Sequence, residues 1–151
     1  MSKYWKEFIK TDWIQKEITP ETINYTEKFG KHLAKKDDFI YEDQNLTKPK
    51  TYKTKNGEIK NFYRKELTTS QLRKFFGEVK RQQVKGYNRI EFLLLKPKLA
   101  YAVGRVGDAD AKINDFNDVI SNAVDNVKSN DDFKRFIKIF EAIVAYHKSE
   151  E

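Results

Sequence analysis

The chain has 151 residues, a formal net charge of +7 at pH 7, 38% hydrophobic and 35% charged residues, and no cysteine. This length predicts a single domain, residues 1–151, and the absence of cysteine excludes disulfides, thiolate zinc sites and a cysteine nucleophile. The apolar run FLLL (92–95) is too short to span a membrane and the N-terminal residues do not resemble a signal peptide, so we expect a cytoplasmic protein without membrane contact.

Two helical segments are predicted before residue 37. In residues 1–18, an N-terminal extension, apolar side chains at helical spacing predict a short amphipathic element. Next, Thr19 as N-cap and Pro20 at the first helical position predict a helix that runs to about Lys36. The apolar residues that we expect this helix to bury are Ile23, Phe29 and Leu33.

Residues 37–67 are predicted to form a basic insertion. The segment TYKTKNGEIKNFY places Asn56-Gly57 between two roughly alternating stretches, which is the strongest short-range signal for a hairpin. We therefore expect a Lys-rich loop or a small β-hairpin at about residues 48–66. A two-stranded ribbon is marginal in water, so a partner would help to order it.

Residues 68–148 are predicted to form the main helical bundle. Thr68 and Gln71 have the spacing of a capping box, and Asn88 and Glu91 repeat it before a helix over residues 90–95. The first of these helices carries one apolar stripe, formed by Leu72, Phe75, Phe76 and Val79. Pro97 then predicts either a kink or the start of a new helix that runs through residues 99–105.

Two further helices are predicted at the C-terminal end. Apolar residues from Ile113 to Val127 mark the first, and Asn130 with two acids in its first turn begins the second, which ends near His147. The apolar residues expected to be buried by the last helix are Phe133, Phe136, Ile137, Phe140 and Val144. The predicted fold class is all-α, a compact bundle of about five to six helices.

The sequence offers little evidence of an enzyme active site. The histidines, His32 and His147, do not have the spacing of a histidine metal site, and His147 is interpreted as a surface or helix-cap residue. Asp108 and Asp110 could hold a metal ion, but a helix N-terminus favours acids in any case. We therefore expect a protein that is not an enzyme, with no catalytic residue, cofactor or metal.

The positive charge is concentrated in the middle of the chain. Residues 48–105 contain 16 Lys or Arg and 4 Glu, whereas residues 107–151 contain 6 Lys or Arg and 10 Asp or Glu. This asymmetry predicts a polyanionic partner for the middle and a different contact for the C-terminal part. The alternative is an ordinary solvated Lys-rich surface.

Seven basic residues are predicted to bind the phosphates of a nucleic acid. On the helix after residue 68, successive steps of 100° place cations on one flank and opposite the apolar stripe, with Gly77 leaving a gap among them. Further cations lie at the Pro97 corner and one turn after Tyr101, a residue that could stack on a base but that we expect to pack. The seven are Arg73, Lys74, Lys80, Arg81, Lys96, Lys98 and Arg105.

Cations that follow a helix face neutralise phosphates without reading the sequence of a nucleic acid. Patterns that read bases are not found: there is no recognition helix, RNP motif or zinc knuckle. Two other functions remain open, a stand-alone helical regulator that binds duplex DNA and a nuclease whose carboxylates converge only in the fold.

Three segments, in this order, resemble a known family: TTSQLRKFFGEVK (68–80), LLLKPKLAYAVGR (93–105) and FIKIFEAIVAYHK (136–148). They are similar to the small helical subunit of the type III-A CRISPR–Cas interference (Csm) complex. The three segments in this order are specific to the family, although each segment alone is weak evidence for it. The resemblance covers about residues 68–148.

The resemblance implies a non-catalytic structural subunit of a ribonucleoprotein effector. Copies of such a subunit form an inner filament along the crRNA and its target RNA, and they bridge the large signature subunit to the backbone subunits. It also implies that Arg73, with Lys74 beside it, and Arg105 are the family's basic residues at these positions. Base pairing would read the sequence while the protein holds the backbone. A dimer of the isolated protein is an alternative to the filament contact.

Overall fold

A computed structural model describes residues 4–5 and 7–150 of the chain. Within these ranges there are seven α-helices and one two-stranded antiparallel sheet, which confirms the helical bundle with a small hairpin. The elements are α1 (Thr11–Gln15), α2 (Pro20–Ala34), β1 (Thr51–Lys53), β2 (Ile59–Asn61), α3 (Thr69–Lys85), α4 (Arg89–Leu93), α5 (Leu95–Val106), α6 (Ile113–Asp125) and α7 (Asn130–Ser149).

Two of the predicted helix starts, those of α2 and α3, are confirmed by reciprocal side-chain caps. At Asn88 only half of the predicted capping box forms, since its side chain accepts a hydrogen bond from the Glu91 N–H (2.9 Å). Thr68 accepts a hydrogen bond from the Gln71 N–H (3.1 Å), and the Gln71 side chain accepts one from the Thr68 N–H (2.8 Å). Thr19 and Thr22 form the same reciprocal pair at the start of α2, with Pro20 as its first residue. Each such cap contributes about 1 kcal/mol, so these boundaries are determined locally.

The corner between α4 and α5 decides between the two alternatives for Pro97. A new helix begins there, and it begins at Leu95, two residues before the proline. Pro97 thus lies in the first turn of α5, where a missing N–H breaks no intrahelical hydrogen bond. Gly107, with a φ of 65°, ends α5 in the left-handed conformation that favours glycine.

The core is built around α2 and α7, the longest helix. The side chains of Phe29, Phe116, Phe136 and Phe140 are almost fully buried there. At Gly30, α2 approaches α7 so closely that a Cβ atom would lie 2.6 Å from the carbonyl oxygen of Ile143. The absence of a side chain at this position therefore sets the distance between the two helices.

The predicted burial of Ile23 is wrong, since this side chain is 44% exposed. The buried face of α2 instead includes Thr22, Tyr25 and Thr26 beside the predicted Phe29. The hydroxyl of Thr26 donates to the carbonyl of Ile23 (2.7 Å). A threonine whose hydroxyl forms a hydrogen bond within its own helix can face the core at little cost. The buried face of α2 is therefore rotated away from Ile23.

The N-terminal extension is only partly helical. Part of it, residues 1–3 and 6, lies outside the described residues. The helix covers Thr11–Gln15, and Ile9, Trp13 and Ile14 are buried against the core. The side chain of Arg135 on α7 donates to the carbonyl of Ile14 (2.7 Å), which ties this segment to the last helix.

The predicted hairpin is present in the insertion. Strands β1 and β2 pair with Tyr52 opposite Lys60, and the N–H of Thr54 donates to the carbonyl of Glu58 across the turn (2.8 Å). Gly57 in this turn has a φ of 82°. Further backbone bonds continue the ribbon towards its base, where the N–H of Arg64 donates to the carbonyl of Asp38 (2.7 Å). The backbone of the insertion is thus paired within the chain.

A buried ion cluster, formed by His32, Asp38, Arg64, Lys112 and Asp115, holds the base of the insertion against α2 and α6. The side chains of Arg64, Lys112 and Asp115 are fully buried, and Nη2 of Arg64 lies 2.9 Å from a carboxylate oxygen of Asp115. The same carboxylate lies 2.7 Å from Nε2 of His32. Both ends of the insertion thereby join the bundle through one group of charges.

Lys112 is held in this cluster mainly by backbone oxygens. Its Nζ donates to the carbonyls of His32 (2.7 Å) and Lys35 (3.0 Å) and lies 3.5 Å from a carboxylate oxygen of Asp38. Burial lowers the pKa of Lys112, because removal from water disfavours the ammonium ion. The carbonyl groups at the end of α2 are therefore capped by a side chain that arrives from the start of α6.

The interpretation of His147 as a surface or cap residue is wrong. Its side chain is 2% exposed, and its Nε2 donates to the carbonyl of Leu67 (2.6 Å). Leu67 lies directly before Thr68, the N-cap of α3, and its own N–H donates to the carbonyl of Leu33 near the end of α2 (2.9 Å). This histidine therefore joins the end of the insertion to α7.

Candidate nucleic-acid interface

An open groove lies between α3 and α5, with a volume of about 850 Å³. Three of the seven predicted RNA-binding residues line it: Lys74 from α3, and Lys98 and Arg105 from α5. Its apolar floor includes Phe75 and Ile113, which also belong to the core. The groove thus has a rigid base with cations on both walls.

Helical spacing explains why these side chains meet. On α3, Lys74 and Glu78 are four residues apart and share one face. On α5, Lys98, Tyr101 and Arg105 succeed one another by three and four residues, which aligns them along the same wall.

Tyr101 is exposed, and the prediction that it packs is wrong. Its side chain is 69% accessible although it lines the groove. The core positions of α5 are taken by Leu95 and Leu99 instead. The ring is therefore presented to solvent between Lys98 and Arg105.

Four of the seven predicted residues are paired with acids from other turns or helices. All four ion pairs are partly exposed, so each stabilises the fold by about 1 kcal/mol or less. The pairs are Lys80 with Glu141 (3.0 Å), Arg81 with Glu78 (2.7 Å), Lys96 with Asp125 (2.7 Å) and Lys98 with Glu78 (2.8 Å). An acid beside a cation lowers the local positive potential and competes with an incoming phosphate.

The other three predicted residues have no such partner. Arg73, Lys74 and Arg105 are exposed and form no ion pair or hydrogen bond with another side chain in the part of the chain that the structure describes. Lys74 on α3 and Arg105 on α5 lie on opposite walls of the groove, and Arg73 is next to Lys74 in α3. The structure thus divides one predicted set into paired and unpaired cations.

Glu78 is the acidic residue among those that line the groove, and its role there was not predicted from the sequence. Its carboxylate accepts hydrogen bonds from Arg81 (2.7 Å) and Lys98 (2.8 Å), which together lower its pKa from 4.5 to about 2. The favourable interactions of the ionised form outweigh its partial burial. Glu78 therefore remains charged throughout the physiological pH range.

The ionisation of the Glu78 carboxylate should be detectable in the pH dependence of the protein's stability. Because the folded pKa of Glu78 is depressed, its contribution is present above about pH 4.5 and is lost as the pH falls through about 2. We expect Glu78→Gln to lower the melting temperature at neutral pH, with the difference from the wild type disappearing near pH 2. Thermal unfolding of both proteins across this range checks the prediction, and a difference that is constant with pH would contradict it.

No group of three or more His, Asp or Glu side chains that could hold a metal ion occurs among residues 4–5 and 7–150. Asp108, considered above as a ligand, accepts a hydrogen bond from the N–H of Asp110 (2.9 Å), and Asp110 in turn accepts one from the hydroxyl of Tyr4. None of the helices in these ranges is both long and apolar enough to cross a membrane.

The exposed aromatic residues of the hairpin were not predicted as part of a site. Tyr52 and Phe62 are 44% and 39% exposed, and their rings lie 4.7 Å apart. The alternation of lysine and aromatic residues in TYKTKNGEIKNFY was the available signal, but it was used only to predict strands.

A family model described as Csm2 Type III-A matches residues 43–151. The matched range extends beyond residues 68–148, so it includes the hairpin as well as α3 to α7. No curated protein and no solved structure matches the chain.

Proposed function

Because the chain belongs to the Csm2 type III-A family and is thus a structural subunit of the Csm complex, we propose that it binds and positions target RNA and the guide–target duplex. In this proposal it makes contacts to the phosphate backbone and carries out no catalysis. Base pairing between guide and target reads the sequence, and the protein holds the paired strands in place.

The unpaired cations of α3 and α5 carry this proposal. Arg73, Lys74 and Arg105 are exposed and have no acidic partner among the described residues. Lys74 and Arg105 line the groove, and Arg73 is next to Lys74 in α3. Binding a phosphate therefore does not require them to give up an ion pair, and each contact gains the free energy of counterion release. Tyr101 adds an exposed ring between the cations of α5.

The paired cations belong to the same surface with a smaller contribution. Lys80, Arg81, Lys96 and Lys98 would contact phosphates after exchanging a carboxylate for a phosphate oxygen. At an exposed site, replacing a carboxylate by a phosphate oxygen as the partner of a cation changes the Coulomb energy of that cation little. We therefore place the first contacts at the unpaired residues.

The acidic C-terminal part of the chain supports contacts with protein neighbours. Residues 107–151 carry a net charge of −4, from 6 basic and 10 acidic residues, and are complementary to the basic middle of another copy. In the proposed filament, copies associate head to tail along the crRNA and target and contact the large signature subunit and the backbone subunits. A head-to-tail contact is heterologous and can repeat without closing.

Salt dependence of RNA binding tests the phosphate contacts. Replacing Lys74 and Arg105 by alanine should weaken single-stranded RNA binding and reduce the slope of log K against log salt by about 0.7 for each lost contact. Lys96→Ala serves as a matched control, because Lys96 already pairs with Asp125 and should change the slope less. Fluorescence anisotropy with labelled RNA at several salt concentrations measures both quantities.

Two results would contradict the proposal. An unchanged slope in the Lys74→Ala, Arg105→Ala protein would remove these residues from the interface. Stronger competition by duplex DNA than by single-stranded RNA at one salt concentration would favour a DNA-binding regulator instead.

A further inference from the structure

One face of the hairpin carries aromatic and lysine side chains that the α3–α5 groove does not use. Tyr52 pairs with Lys60 in the β1–β2 register, and the N–H of Phe62 donates to the carbonyl of Lys50 (3.0 Å), which continues the pairing towards the base. Residues opposite each other or two apart lie on the same face of a ribbon. We call Lys50, Tyr52, Lys60 and Phe62 the ribbon face.

The two rings of the ribbon face are outside the core. Tyr52 and Phe62 are 44% and 39% exposed and contact each other at 4.7 Å with an angle of 52° between the rings. Nζ of Lys50 lies 5.3 Å from the centre of the Phe62 ring. Two adjacent rings with a cation beside them form an exposed, aromatic and positively charged surface.

The charge around these rings identifies the kind of partner. Residues 48–62 contain five lysines and one glutamate. Lys48 pairs with Glu42 (3.2 Å), whereas Lys50, Lys53, Lys55 and Lys60 form no ion pair with the acids that the structure describes. A partner complementary to this face carries repeated negative charge together with flat apolar groups. Single-stranded nucleic acid has both, because its phosphates alternate with unpaired bases.

We propose that the ribbon face is a second binding site, at which unpaired bases of a single-stranded nucleic acid stack on Tyr52 and Phe62. Lys50 and Lys60 contact the phosphates on either side of the stacked bases. The site goes beyond the function proposed above, because the phosphate contacts of the α3–α5 groove need no unpaired base. A base within a duplex is stacked on its neighbours and cannot occupy the ribbon face.

An abasic oligomer separates stacking from charge. We expect the wild-type protein to bind a short uridine RNA more tightly than an abasic oligomer of the same length and charge, by about fivefold or more for each stacked base. Tyr52→Leu combined with Phe62→Leu should abolish this preference while leaving the weaker, charge-dependent binding of the abasic oligomer. Anisotropy measures both affinities at one salt concentration.

Three control proteins separate this proposal from its alternatives. Tyr52→Phe keeps the ring and should keep the preference for uridine. Ile59→Ala changes an exposed residue on the opposite face of the hairpin and should also keep it. Lys74→Ala with Arg105→Ala should weaken binding of both oligomers and leave their ratio unchanged, so that failure of the groove and failure of the ribbon face give different results.

Three outcomes would overturn the proposal. In the first, the wild-type protein binds the uridine and abasic oligomers with equal affinity. In the second, the double leucine variant prefers the uridine oligomer as strongly as the wild type does. In the third, Tyr52→Phe loses this preference. A polyglutamate peptide that binds as tightly as the uridine oligomer, with the same loss in the double leucine variant, would assign the ribbon face to an acidic protein surface instead.

Discussion

Replacing Arg64 by methionine should lower the free energy of unfolding by about 3–5 kcal/mol, because it leaves a buried carboxylate without its main counter-charge. Arg64 and Asp115 are both fully buried, with Nη2 of the arginine 2.9 Å from the carboxylate. The arginine also donates from Nε to the carbonyl of Asp110 (2.8 Å), and its guanidinium lies 3.7 Å from the centre of the Tyr4 ring. Methionine fills a similar volume but replaces none of these polar contacts.

Urea unfolding of the variant and two comparison proteins measures this effect. Lys48→Met removes an exposed cation from the same insertion, where its pair with Glu42 contributes about 1 kcal/mol or less. Adding Asp115→Asn to Arg64→Met should recover part of the lost stability, because the uncompensated charge is then absent. If Arg64→Met were no more destabilising than Lys48→Met, the buried ion cluster would not stabilise the fold as the geometry indicates.

Replacing Gly30 by alanine should destabilise the protein by about 1–3 kcal/mol, the usual cost of adding a methyl group to a tightly packed contact. The added Cβ would lie 2.6 Å from the carbonyl oxygen of Ile143 and 2.8 Å from the Cβ of Tyr146. Both are rigid parts of α7, so relief of the clash requires the two helices to separate. His147 follows directly in α7, and its hydrogen bond to Leu67 would be disturbed as well.

Gly77→Ala is the matched control, with an expected effect of opposite sign. Gly77 lies in the interior of α3, and beyond its own turn of helix backbone no described atom lies within 4 Å of a Cβ built at this position. Alanine should therefore stabilise the helix by about 0.5–1 kcal/mol, because glycine loses more conformational freedom on folding. Thermal and urea unfolding of both variants tests the pair, and a neutral or stabilising Gly30→Ala would show that α2 and α7 are less closely packed than described.

The features that sequence predicted well are those determined within a few residues. Thr68 and Gln71 bond each other's backbone across one helical turn, and Asn56-Gly57 turns the chain within the hairpin. The apolar stripe of α3 also follows from local spacing, with Leu72, Phe75 and Val79 buried. The helical fold and the positions of the basic residues along it could therefore be predicted.

The features that sequence did not predict depend on residues far apart in the chain. His147 is buried because Leu67, 80 residues away, presents a carbonyl to it. Tyr101 is exposed because other residues of α5 occupy the core, while Ile23 is displaced by threonines that satisfy their own hydroxyls. Periodicity identifies a face of a helix, but it does not identify which elements pack on that face.

The candidate site shows the same division. Local sequence determined that Arg73, Lys74 and Arg105 would lie on the outward faces of helices, because helical spacing directs side chains without reference to the rest of the fold. Tertiary structure alone decided that Lys80 and Lys96 would meet Glu141 and Asp125, since Coulomb interactions depend on distances in space. The sequence by itself thus determined the helices, their caps and the placement of charge, and packing decided which cations remain unpaired.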